Sequence, residues 1–101
     1  MNILEGQILL FEIDEENEDF KEIKGKDESI HTKFDPFSIF IIVDPLEKEI
    51  WLWIGENASI RKKFIATQKA PSIRDRYGVD FKIVTVDEGN EPLGFKEIVG
   101  L

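Results

Sequence analysis

The segment WLWIGENASIRKKFIATQKAPSIRD, residues 51–75, decides the fold of this chain because it turns from a strand into a helix. Two tryptophans alternate with aliphatic residues between Glu49 and Ile54, so the predicted strand has one aromatic face and one aliphatic face. The hydroxyl of Ser59 can accept backbone N–H bonds, which predicts a helix from this residue to about Tyr77. The segment therefore predicts a long helix that packs on a sheet.

The predicted helix has a narrow buried side. Its small and apolar residues recur at spacings of three and four, which is typical of a helix packed closely on a sheet. Pro71 lacks an N–H donor and crowds the carbonyl of Thr67, so we expect a kink or a break there. Gly78 is the expected C-terminal stop. The predicted buried residues are Ala66, Ala70, Ile73 and Tyr77.

The rest of the chain divides into short elements. An uninterrupted apolar run at 39–43 predicts a central strand, residues 38–44, that is covered on both faces. Apolar and polar residues alternate in three further segments, which predicts strands at 7–14, 20–24 and 79–86. A loop is expected at 25–32 and a short closing helix at 93–99. We therefore expect an α+β domain with a layer on each side of its sheet.

Length and composition exclude several classes of protein. A chain of 101 residues suits one domain, residues 1–101, because two halves would each bury too little surface. No apolar run approaches the roughly 20 residues that span a bilayer, and no signal peptide is visible, so we expect a cytoplasmic protein without integral membrane association. A net charge of -8 argues against nucleic acid as a partner.

The chain has little of the chemistry that enzymes use. It contains no cysteine and a single histidine, His31, which excludes thiol catalysis and a metal centre built from several histidines. No phosphate-binding loop and no recognisable nucleophile motif is present. We therefore predict a binding protein and not an enzyme.

Positive charge is concentrated in the long helix of this acidic chain. One interpretation is a surface for an acidic protein partner, and the plainer one is a solvated helix face. A salt-sensitive phosphoinositide contact is a further alternative. The cations are Arg61, Lys62, Lys63, Lys69, Arg74 and Arg76, and the single acid among them is Asp75.

Several motifs occur in an order that resembles the gelsolin-homology domain, the repeated unit of gelsolin, villin and severin. This resemblance implies a mixed five-stranded sheet sandwiched between one long helix and one short helix, in agreement with the layers expected from the residue pattern. The motifs are LLFEI at 9–13, IFII at 39–42, EIWLWIGENAS at 49–59, KKFIATQKAPSIRD at 62–75 and VDEGNEP at 86–92.

The resemblance implies that the domain binds actin monomers by inserting its long helix into the actin cleft. Sequestering, weak capping and weak severing all remain open, as does association with itself or with further gelsolin-like domains. The alternative is a gelsolin-like interaction or structural module that does not bind actin, since a fold alone does not assign a function. The candidate actin contacts are Phe64, Ile65, Gln68, Ile73, Arg74 and Asp75.

The resemblance also raises the question of calcium. The intradomain calcium site of the family is predicted to be absent, because Phe37, Ser38 and Lys62 stand where the family has a Gly-Asp pair and a glutamate. The family's second type of calcium site is shared with actin. There Asp75 and Glu88 are the matching acids, so we expect calcium, if any, at the actin interface.

Overall fold

The structure is a computed structural model that describes residues 8–24 and 29–101. This part of the chain forms a sheet of five strands and two α-helices. A 3-10 helix, Ile30–Lys33, precedes the central strand. The elements are β1 (Leu9–Asp14), β2 (Asp19–Glu22), β3 (Ile39–Asp44), β4 (Glu49–Ile54), α1 (Ile60–Tyr77), β5 (Lys82–Asp87) and α2 (Leu93–Val99).

The sheet is mixed, with strand order β2-β1-β3-β4-β5. All neighbouring strands are antiparallel except β4 and β5, which are parallel. Ile54 pairs with Asp87 at one end of this parallel pair, here called the upper end, and Glu49 pairs with Lys82 at the lower end. Because α1 connects the two parallel strands, it begins at the upper end and finishes at the lower end.

The core has two layers, one on each face of the sheet. Ile50 and Leu52 of β4 join the aliphatic layer under α1, whereas Trp51 and Trp53 join the aromatic layer under α2. Every residue of β3 is buried. These findings confirm the two-faced β4 strand, the doubly covered central strand and the two layers predicted from the residue pattern.

The predicted limits of α1 are confirmed, but of the kink or break predicted at Pro71 the break does not occur. Ser59 Oγ accepts a bond from the Lys62 amide at 3.0 Å, and the Gly78 amide donates to Arg74 O at 2.7 Å. Between these caps α1 is one continuous helix. Two features allow Pro71 inside the helix. Its ring lies on the side of α1 away from the sheet, and Thr67, the residue whose carbonyl loses its donor, is exposed to water.

The other differences concern boundaries. The strand predicted at 79–86 begins instead at Lys82, because the Phe81 amide bonds to Gly78 O at 3.1 Å and closes a turn first. The loop predicted at 25–32 includes 25–28, which lie outside the described residues, and its last residues belong to the 3-10 helix. Within the described residues, no helix is long and apolar enough to cross a membrane.

Candidate protein-binding face

The side of α1 that points away from the sheet carries exposed apolar residues. Ile60 is 84% exposed and Phe64 is 61% exposed, although both are hydrophobic. Gln68 and Asp75 are also exposed and follow them at helical spacing, with the half-buried Pro71 between. We call these five residues the outer face of α1. An apolar start and a polar end on one exposed stripe are suited to contact with another protein.

The structure divides the six candidate contact residues between two sides of the helix. Phe64, Gln68 and Asp75 lie on the outer face, and their roles in binding stay predictions. Ile65 and Ile73 are only 4% and 0% exposed and pack in the aliphatic layer. The prediction that these two isoleucines contact a partner is therefore corrected, because both lie on the side of α1 that faces the sheet.

Arg74 lies at the margin between the inner side and the outer face of α1. It is half-buried, and its Nε is buried without a hydrogen-bond partner in the described part of the chain. A buried donor without an acceptor is unfavourable, so this position costs Arg74 part of its hydrogen bonding. Its role as a contact residue also stays a prediction.

Two cations of α1 lie close to acidic residues of the β1–β2 hairpin. The Arg61 guanidinium forms an ion pair with Glu18, and its Nε lies 3.9 Å from Glu15 Oε2. Lys69 Nζ lies 3.8 Å from Asp19 Oδ1. These exposed ion pairs within the domain partly neutralise the basic helix, and its interpretation as a positive surface stays a prediction.

The segment before β3 is held tightly at the upper end of the sheet. The Asn57 amide donates to Pro36 O at 2.7 Å, and the Gly55 amide donates to Ser38 O at 2.9 Å. A Cβ at Gly55 would lie 2.5 Å from Pro36 O, so only glycine allows this approach. The segment leaves Phe37 62% exposed.

Phe37 and Ile60 were not among the predicted site residues. Ile60 lies four residues before Phe64, so helical periodicity alone was a signal that could have found it. The exposure of Phe37 has no such signal, because it depends on how the loop before β3 docks on the turn before α1.

The VDEGNEP segment, residues 86–92, stabilises the upper end of the sheet through hydrogen bonds. Glu88 Oε1 accepts a bond from the Glu56 amide at 2.8 Å, and Glu91 Oε2 accepts one from Trp53 Nε1 at 2.9 Å. Burial raises the pKa of Glu91, but the hydrogen bonds from Trp53 and from backbone amides outweigh it and lower the pKa. This motif therefore has a structural role in holding the turns at the upper end.

Residues 26–96 match the model of the gelsolin repeat. This chain belongs to the gelsolin repeat family. As a gelsolin repeat it is similar to Thorarchaeota ProGel, crystallised in complex with rabbit actin, with 29% sequence identity and a TM-score of 0.82 over 93% of this chain and 100% of that chain.

A second gelsolin-like structure shows the same fold at lower identity. Thorarchaeota 2DGel3, also crystallised with rabbit actin, has 19% identity and a TM-score of 0.70, and the match covers 96% of this chain and 47% of that one. A search of curated proteins found no match. The fold predicted from the sequence is therefore confirmed.

The acids predicted for a calcium site of this gelsolin repeat do not come together. Glu88 bonds to an amide just before α1, whereas Asp75 lies in the last turns of α1. The helix rise separates Ser59 from Asp75 by about 24 Å along the axis. Asp75 and Glu88 therefore cannot bind one ion together, which corrects their proposed pairing.

The absence of the intradomain calcium site stays a prediction, and the structure places a lysine side chain at this position. Lys62 Nζ donates to Phe37 O at 2.8 Å, so an ammonium group faces the carbonyl at this position. Calcium prefers a shell of oxygen ligands that includes carboxylates. The described residues contain no cluster of three or more acids or histidines suited to a metal ion.

Proposed function

We propose that this gelsolin repeat binds actin through the outer face of α1 and acts by occupying actin, without chemistry of its own. The observation that carries the proposal is the exposed apolar pair Ile60 and Phe64 on the long helix of this fold. The likeness to ProGel, whose structure was solved with rabbit actin, supports actin as the partner. An actin partner also implies a cytoplasmic location.

The chemistry of the outer face suits insertion into an apolar cleft. Full burial of a large apolar side chain contributes about 1.5–3 kcal/mol, so Ile60 and Phe64 supply an anchor at the start of the stripe. Gln68 and Asp75 continue the stripe as its polar end, with Arg74 at its margin. Protein interfaces commonly combine apolar and polar residues in this way.

The proposed mode of action is the binding of actin monomers. One helix face engages one cleft, whereas severing and strong capping gain from linked domains that raise the effective concentration of a second contact. Asp75 is the one acid of the predicted calcium pair on the outer face. Calcium at the interface would therefore need its other protein ligands from actin.

Actin sedimentation and monomer binding, in calcium and in chelator, test the proposal. Ile60→Asp and Phe64→Asp should each weaken binding by at least about tenfold, because an acid replaces an apolar anchor. Leu93→Asp is the matched control, since Leu93 is 71% exposed on α2, on the other side of the sheet. It should bind like the wild type.

Two results would contradict the proposal. Equal binding by the wild type and both outer-face variants would remove α1 as the contact element. Failure of the folded wild type to bind actin at all would favour the alternative of an interaction or structural module with another partner.

A further inference from the structure

We propose that Lys62 is a positioning residue. Its ammonium group acts as a built-in cation that holds residues 35–38, here called the Phe37 segment, against α1 and adds Phe37 to the actin-binding surface. This inference rests on the proposed function for its partner, actin. Its structural part, the positioning of the segment by Lys62, stands independently of any partner.

The first step is the geometry around the ammonium group. Lys62 Nζ donates to Phe37 O at 2.8 Å, which links the first turns of α1 to the residue before Ser38. On the other side of that residue, Ser38 Oγ lies 2.7 Å from Asp35 Oδ2 and 3.3 Å from Glu12 Oε2. A cation thus faces a segment that already brings two carboxylates close together.

The second step is the position of this cation on the helix. The first turns of a helix carry partial positive charge, so a lysine there is disfavoured unless another contact compensates. Lys62 is half-buried, whereas the neighbouring Lys63 is exposed. The carbonyl of Phe37 provides the compensating contact, and a charge-assisted hydrogen bond of this kind is stronger than a neutral one.

The third step is what the contact presents to solvent. Phe37, Ile60 and Phe64 are each more than half exposed, and the Lys62 bond ties the first of them to the helix that carries the other two. The Phe37 segment is also bonded to the turn that leads into α1. Phe37 therefore lies beside the start of α1, at the same end of the molecule as Ile60, and a partner that contacts this end can reach both side chains.

A hydrogen-exchange experiment on the free protein tests the positioning. Lys62→Met keeps the apolar stem and removes the charge. Exchange protection of the Gly55 and Asn57 amides, which bond to the Phe37 segment, should fall by about tenfold in this variant. Lys82→Met, an exposed lysine on β5 at the lower end, is the control and should keep wild-type protection. Unchanged protection in Lys62→Met would overturn the proposal.

A double-mutant cycle tests the link to actin. Phe37→Ser and Lys62→Met should each weaken actin binding by about fivefold, and the double variant should be little weaker than either single one, since both remove the same positioned side chain. Lys82→Met should bind normally. Additive losses would show that Lys62 acts separately from Phe37 and would overturn the proposed mechanism.

The two experiments separate the two levels of the inference. If the wild type does not bind actin, the proposed function fails and Phe37 loses its proposed partner. The exchange result then still decides whether Lys62 positions the segment, because it needs no actin.

Discussion

Lys62 shows how one residue determines the chemistry available at the start of α1. Its amide is capped by Ser59 Oγ, while its side chain reaches Phe37 O. An acid at this position would interact favourably with the helix dipole and would attract a cation. The lysine instead repels a cation and supplies a positive charge itself. The contact between the start of α1 and the segment before β3 can thus be stabilised either by a lysine or by an acid with a bound cation.

Replacement of Lys62 by glutamate should create a response to calcium. The new carboxylate would face Phe37 O, with Asp35 close to the same segment, so calcium should raise the unfolding temperature of Lys62→Glu by binding its folded state. Thermal unfolding with calcium and with chelator measures this shift. Lys63→Glu is the control, because it makes the same charge change at an exposed neighbouring position. Equal shifts in both variants would refute the prediction.

The lowered pKa of Glu91 predicts a pH dependence of stability. A lowered pKa means that the folded state favours the carboxylate, so the stabilisation is present above the unfolded pKa of about 4.3 and is lost as pH falls through the folded pKa. Glu91→Gln should therefore lose less stability than the wild type on acidification.

Urea unfolding monitored by tryptophan fluorescence at a series of acidic and neutral pH values checks this dependence. Glu91→Ala should in addition cost about 1–3 kcal/mol at neutral pH, since the buried indole N–H of Trp53 loses its acceptor. Glu97→Gln, a change of an exposed acid on α2, should follow the wild type. A parallel pH profile for Glu91→Gln would contradict the assignment.

At the scale of the element, different sides of α1 have different roles. Its inner side packs on the sheet through Ile65, Ala66, Ala70 and Ile73, and its outer face carries Ile60 and Phe64. Cations on its flank face the acidic turn between β1 and β2. The helix is therefore basic in composition, although the proposed contact surface is mainly apolar.

This division predicts that actin binding depends only weakly on salt. Binding to an apolar anchor is screened little, whereas contacts between exposed charges weaken beyond a Debye length of about 10 Å at 0.1 M salt. Affinity for actin monomers that are kept from polymerising should change by less than about threefold between low and moderate salt. A fall of an order of magnitude would instead indicate that Lys63, Arg74 or the flank cations carry the contact.

At the scale of the whole molecule, the direction of α1 is set because this helix is the crossover between two parallel strands. The connection carries the chain from the upper end to the lower end, so Glu88 and Asp75 finish far apart although both belong to family-like motifs. The outer face is a single stripe on one side of the sheet. One such stripe predicts one actin molecule per domain.

Light scattering after size-exclusion chromatography should show a complex of one domain with one actin monomer. Polymerisation assays should show a loss of polymer that follows the amount of added domain, as expected when monomers are occupied one by one. Faster depolymerisation of diluted filaments would indicate severing and would contradict the monomer-binding mode. The same chromatography without actin tests whether the domain associates with itself.

The elements of the fold could be predicted because their signals are local. The alternation in β4, the apolar run of β3, the cap at Ser59 and the stop at Gly78 act over a few residues, and the structure has each element where these signals place it. The exception was Pro71, where the expected break does not occur and Thr67, the residue whose carbonyl loses its donor, is exposed to solvent.

The sequence by itself determined the strands, the helices, their layers and the family to which the chain belongs, since periodicity and motif order are properties of neighbouring residues. Only the tertiary structure decided that Ile65 points inward, that Arg61 pairs with the β1–β2 turn, that Lys62 bonds to Phe37, and that Asp75 and Glu88 lie apart. These relations depend on the rotation of α1 on the sheet and on the docking of loops distant in sequence. Packing of the complete molecule sets both.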